Sequence, residues 1–324
     1  MIDTDPKETK KYTLIMPSTM AFFIEARKTE NFSLLDWLHG YIYARFLYTY
    51  IGTGQHKVNR LFAPIVSFLH PIQLWLQKRL PNKPARKPKI TIADTYHGKV
   101  LPLSSVKRLV SVQQDVRLKN LESIIPYMLA KDIIINHPDH LVVLDCPCRS
   151  NREHPCLPLD VCMVVGEPFA SFVLEHHPQK SRSITTQEAL QILEDEDNRG
   201  HVHHAFFKDA MLGRFYAICN CCSCCCGAIQ AHEHGTPMLA ASGFVAVVNH
   251  DICVDCGVCN AYCQFHALSN DLGINTVNFE LCMGCGICIS KCDQQALSLS
   301  LNPAKGIPLD IDKLMQDATI GKTN

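Results

Sequence analysis

The chain has 324 residues, 31 basic and 31 acidic side chains, no formal net charge, and 47% hydrophobic residues. That is enough apolar material for a sizeable core and sets a prior of about two domains, while the charge balance excludes a general attraction to nucleic acid. The 18 cysteines are too many for ordinary core packing. The opening stretch MIDTDPKETKKYTL has no apolar run before a small-residue cleavage site, so a cytoplasmic setting is expected, where disulfides are rare and dense thiols point to metal.

Taken in chain order, residues 1–80 read as a helical, apolar and aromatic region. Within it 34–51 and 61–77 carry helical patterns, each interrupted by charge, histidine or proline and so too broken to span a bilayer. Such a region either packs on the rest of the protein or a partner, or lies on a membrane surface through 18–89. A basic, proline-rich linker follows at 81–93, since its prolines forbid a continuous helix. Residues 94–243 form a cysteine- and histidine-rich domain of mixed elements. Leu141–Leu144 fits a buried strand, and 185–200 is a helix with Thr185 and Glu188 at capping-box spacing and Gly200 at its end. Strands are expected at 244–249 and 297–301, on either side of an internal repeat, and 302–324 reads as a loose polar tail. The fold class is α+β.

The repeat reads CVDCGVCNAYC (Cys253, Cys256, Cys259, Cys263) and CMGCGICISKC (Cys282, Cys285, Cys288, Cys292). Both are C-x2-C-x2-C-x3-C, in which a tight loop presents three thiolates to one iron–sulfur cube and the fourth cysteine belongs to the other. Residues 244–301 thus resemble a bacterial-type ferredoxin with two [4Fe-4S] clusters. The resemblance implies two short β-hairpins with two helices. It also implies one cluster on Cys253, Cys256, Cys259 and Cys292 and a second on Cys282, Cys285, Cys288 and Cys263. The chain departs from that family where proline usually follows the fourth cysteine, having Gln264 and Asp293 there.

Ten cysteines remain: Cys146, Cys148, Cys156 and Cys162 in DCPCRSNREHPCLPLDVC, and Cys219, Cys221, Cys222, Cys224, Cys225 and Cys226 in CNCCSCCCG. Three readings stand open for them: one or two further iron–sulfur clusters, structural zinc, or buried small hydrophobes and redox thiols. Neighbouring side chains such as Cys221 and Cys222 diverge, so the run is expected to serve two sites or to pack in part. CPCR (146–149), GHVH (200–203) and CNCCSCCC (219–226), joined to the dicluster module, resemble a larger group of bacterial 4Fe-4S binding proteins without an assigned reaction. CCCG (224–227) is faintly similar to cysteine-rich modules of heterodisulfide reductases.

His201, His203 and His204 are candidate ligands whose ordinary role is hydrogen bonding. Arg149 and Arg152 flank the first thiols and suit an anionic cluster or substrate, or a plain salt bridge. No phosphate-binding loop, dinucleotide fingerprint or serine-nucleophile motif is visible, so no nucleotide or flavin site is expected. The sequence points to an iron–sulfur electron carrier that meets redox partner proteins. The alternatives are a cluster-dependent reductase working in the middle domain, with Arg149, His154 and His203 as polar candidates, and a metal-storage or redox-sensing protein.

Overall fold

A computed structural model describes residues 15–29, 32–54, 91–271 and 273–320. The helix expected at 61–77 and the linker up to residue 90 lie outside the described residues. The centre is one mixed sheet built from β1 (Tyr96–Leu101), β2 (Val116–Leu118), β3 (Ile133–Asp145), β4 (Asp160–Glu167), β5 (Ser181–Ile184), β6 (Val202–Lys208), β7 (Arg214–Cys221) and β8 (Leu239–Ala240). Its order is β2-β3-β4-β7-β6-β1-β8, with β5 also paired to β3. All neighbours run antiparallel except β1 and β8. The strand expected at Leu141–Leu144 is the last part of β3, which pairs Val143 with Met163 and Leu144 with Cys162.

The sheet is covered on both faces, which strand alternation explains. Leu141, Val143, Met163, Val165, Phe207 and Ile218 point to one side, where the helices Leu103–Val110 and Thr186–Asn198 lie. Val142, Leu144, Cys162, Val164, Phe206 and Ala217 point to the other. There the helices Pro17–Arg27, Leu34–Arg45 and Phe169–His176 bury Phe22, Tyr43 and Phe172. The segment 34–51 is two helices rather than one, parted at Phe46 before Leu47–Gly54. Leu34, Leu35, Leu38 and Ile42 remain exposed on its outer side. Among the described residues no helix is long and apolar enough to cross a membrane.

Thr185 caps its helix as its spacing requires, its Oγ1 accepting from the Glu188 amide at 3.1 Å. The C-terminal segment departs from the expected loose tail: Ile311–Ile320 is a helix. Leu309 and Ile311 are each 2% exposed, Leu314, Met315 and Ala318 pack on the same core, and Arg108 Nε donates to Asp312 at 2.6 Å. Its apolar residues recur at helical spacing, a signal that the polar composition masks.

The core also stores neutral imidazoles. His97 is fully buried, stacked 3.6 Å from the Tyr127 ring and donating from Nδ1 to the Ala93 carbonyl at 2.8 Å. Burial depresses its pKa from 6.5 to about 4, and burial does the same to His176, which pairs with Thr19 Oγ1 at 2.9 Å. Below pH 6.5 the unfolded chain gains protons that the native state cannot accept. Their contribution to stability is therefore complete above 6.5 and lost as pH falls toward 4. The denaturation midpoint is expected to drop between pH 7 and pH 5, and less steeply in His97→Phe. An unchanged slope in that variant would mean that His97 is not titrating.

Candidate metal centre

The C-terminal module forms two two-stranded antiparallel sheets, of which only the second is a hairpin, in place of the two hairpins expected, because the first joins the two ends of the module. β9 (Phe244–Val248) pairs antiparallel with β12 (Leu297–Leu301), and β10 (Leu268–Asp271) with β11 (Ile274–Val277). Between them lie the single-turn helices Val258–Ala261 and Ile287–Ser290. Cys253, Cys256, Cys259 and Cys292 line one cavity, and Cys263, Cys282, Cys285 and Cys288 line a second. The donor sets fit thiolate-held cubes: four sulfurs each, in apolar walls, with amides aimed at them. The amides of Ala246, Ala267 and Ala296 donate to the sulfurs of Cys282, Cys263 and Cys292 at 3.4, 3.2 and 3.3 Å. Gly284 is required by close approach as well as by its φ of +65°, since a Cβ there would stand 2.2 Å from the Phe244 carbonyl oxygen.

The two sets differ in surroundings. Cys256 is exposed, amid exposed Ile252, Val254 and Val258. Cys282 and Cys288 are buried. Cys263 and Cys285 pack, with Phe265, Met283 and Ile287, against the same apolar core that holds Cys146, Cys162, Cys221 and Cys226. Burial pushes the Cys285 thiol up to about 12.

The ten other cysteines divide into two groups, which the sequence did not specify. Six of them close a ring: Cys146 neighbours Cys148 and Cys162, Cys162 neighbours Cys219, Cys219 neighbours Cys221, and Cys226 joins Cys221 back to Cys148. Strand period explains half of it. Cys219 and Cys221 on β7 share the face of Ala217, and Cys162 on β4 shares the face of Val164. Cys146 and Cys148 arrive on the turn after β3, and Cys226 at the start of the helix Gly227–Glu233. The ring lines a cavity of about 60 Å³, whose wall includes Tyr43, Tyr96, Phe206 and Tyr216. In the free thiols, contact with a neighbouring sulfur and then burial push Cys146, Cys162, Cys219 and Cys221 far above the ordinary range. Such a crowded set ionises together only against positive charge, which is what a metal centre supplies.

The other four are Cys156, Cys222, Cys224 and Cys225, whose sulfurs all lie within 4.8 Å of one another. Cys221 and Cys222 do diverge, one to each group. Cys224 and Cys225 do not, because the turn that starts at Cys222 folds both toward Cys156.

The polar candidates serve the scaffold. Arg149 is 1% exposed and donates to Glu196 Oε2 at 2.6 Å, to the Pro158 carbonyl at 2.5 Å and to the Asn220 carbonyl at 3.0 Å. His201 Nδ1 pairs with Glu196 Oε2 at 2.7 Å and His203 Nδ1 with Asn220 Oδ1 at 2.6 Å, so both have a polar partner in place of a thiol neighbour. His204 is fully buried, and neither ring nitrogen has a hydrogen-bond partner among the described residues. His154 is exposed in the loop after Cys148. Arg152 Nη2 donates to the Cys225 carbonyl at 3.0 Å.

Gln264 is the functional residue that motif reading undervalued. Its Oε1 accepts from the amide and hydroxyl of Ser223, at 2.8 and 3.0 Å, and its Nε2 donates to the Gly200 carbonyl at 3.0 Å. It ties the loop of Cys263 to the cysteine run, and its departure from proline was the available signal. Gln264→Pro removes all three bonds, and at roughly 1 kcal/mol each the C-terminal module is expected to loosen. Faster amide exchange around Ser223, with unchanged iron content, is the expected result.

Residues 275–298 match the family model of the 4Fe-4S binding domain. No curated protein and no solved structure matches the chain. The chain carries a 4Fe-4S binding domain and is an iron–sulfur protein.

Proposed function

We propose that the chain is an electron-transfer protein in which two [4Fe-4S] clusters of the C-terminal module relay electrons between a redox partner and the six-thiol cavity. Cys253, Cys256, Cys259 and Cys292 would hold the outer cluster, and Cys263, Cys282, Cys285 and Cys288 the inner one. Each cluster, when bound, accepts and releases a single electron. The observation that carries this reading is the asymmetry of the two sets. The outer set reaches solvent at Cys256 with an apolar rim of Ile252, Val254 and Val258 suited to a partner protein, and the inner set shares its packing with the cavity cysteines. Met283, Phe265 and Ile287 exclude water along that path. The ring residues Cys146, Cys148, Cys162, Cys219, Cys221 and Cys226 would hold a further iron–sulfur centre, the terminus of the relay.

Iron and acid-labile sulfide, counted on protein purified without oxygen, test the reading. About twelve irons per chain are expected, with low-potential paramagnetic signals after reduction. About eight irons would leave the cavity without a cluster, and about four or fewer would remove the relay.

A second reading, a reductase whose active centre is the cavity, is favoured by one observation. The ring offers six thiols where a cubane takes four, beside Tyr43 and Tyr216 hydroxyls that bond each other at 2.7 Å. It expects two cavity thiols to be alkylated by iodoacetamide in the protein with its clusters in place. Protection of all six removes it.

A further inference from the structure

We infer that Cys156, Cys222, Cys224 and Cys225 form a separate site for one metal ion, Zn²⁺, that closes the mouth of the six-thiol cavity. The distances decide between one ion and a cluster. Cys156 Sγ stands 3.1 Å from Cys224 Sγ and 3.7 Å from Cys222 Sγ, and Cys224 Sγ stands 3.7 Å from Cys225 Sγ. Four thiolates held at about 2.3 Å from a single tetrahedral ion stand about 3.8 Å apart. A cubane places its thiolates on four different irons and spreads them wider. Among the described residues this is the one group of metal-ligating side chains so compact.

The chemistry favours zinc. Four cysteines with no fifth donor make a closed structural site, the kind in which zinc contributes folding energy and no redox step. The site also lies where a clasp is needed. Cys156 sits on the loop between β3 and β4, and Cys222, Cys224 and Cys225 on the turn after β7. Cys222 and Cys225 also line the cavity, so an ion joining them to Cys156 would fix its rim. The turn is already braced for that role: Gln230 Nε2 donates to the Ser223 and Cys224 carbonyls at 2.9 and 3.1 Å, and Gln230 Oε1 accepts from Arg152 at 2.7 Å. The inference is independent of the relay, since the four sulfurs are none of those assigned to it.

The test uses the full chain, purified without oxygen with its clusters in place. Zinc is quantified and its ligand shell read by X-ray absorption at the zinc edge, in the wild type and in Cys156→Ser with Cys224→Ser. About one zinc per chain is expected, surrounded by four sulfurs at about 2.3 Å. In the double variant zinc should fall to near zero while iron and sulfide stay unchanged. A wild type without zinc overturns the inference, whether the site then holds iron or a Cys156–Cys224 disulfide. So does a zinc shell containing oxygen or nitrogen, or loss of iron in the variant. Should the variant not fold, the shell measured in the wild type still decides. Iron and sulfide counts judge the relay and zinc judges this site, so either can fail alone.

Discussion

On the proposed relay, Cys285→Ala is expected to lose about half of the iron of the C-terminal module, and electrons should no longer reach the cavity. In Cys256→Ala a similar number is lost, but the inner set remains and the cavity stays reducible by a small soluble reductant. The difference follows from placement. Cys256 is exposed, while Cys285 packs with Ile287 and Met283 on the core shared with Cys148 and Cys219. Iron analysis with spectra of the reduced protein separates the two variants. Equal reduction of the cavity in both would show that electrons enter without passing the inner set, and the relay would have to be abandoned.

How much of this was legible in the sequence depends on the distance over which the structure is written. The strands at 244–248 and 297–301 and the cysteine spacing between them were legible because they lie within sixty residues of one another. The helix at 186–198 was legible because its cap, apolar face and terminal glycine are local. The division of the other ten cysteines into six and four was not. It depends on β4 pairing with β7, which brings Met163 beside Ile218 and so Cys162 beside Cys219. It also depends on a turn geometry that no spacing announces, in which Cys224 and Cys225 face one way and Cys226 another. Strand alternation would have placed Cys219 and Cys221 on one face had β7 been recognised. The run looks too cysteine-rich for a strand, and β-propensity gives little help there. His203 misleads for a related reason. It is metal-ligand chemistry by composition, but the β6–β7 pairing sets it opposite Asn220, whose Oδ1 engages its Nδ1.

Arg149→Met is expected to destabilise the protein by about 3 kcal/mol, because it removes the buried partner of Glu196 and leaves that carboxylate with only half-exposed Arg199 at 3.0 Å and His201 at 2.7 Å. Glu196 is fully buried and Arg149 is 1% exposed, so water replaces none of the lost bonds. Burial raises the Glu196 carboxyl, and the hydrogen bond from His201 with the charge of Arg149 outweighs it, holding the group below its ordinary value. A depressed carboxyl contributes stability that is complete above the unfolded value near 4.5 and is lost as pH falls through the folded one. Without Arg149 the burial that remains moves the carboxyl upward, and a raised carboxyl takes up its proton more readily in the folded state, so the stability deficit of the variant should shrink as pH falls from 7 toward 5. Adding Glu196→Gln removes the stranded charge and should recover part of the loss, the coupling expected of contacting groups. The functional consequence is larger than the stability figure. Through the Pro158 and Asn220 carbonyls, Arg149 joins the β3–β4 loop to β7. That junction holds Cys146, Cys148 and Cys162 against Cys219 and Cys221. Iron in excess of the C-terminal module should therefore vanish in Arg149→Met and stay absent in the double variant, which recovers stability but neither of the two junction bonds. A variant that keeps that iron would show that the ring is set by the metal rather than by the buried ion pair.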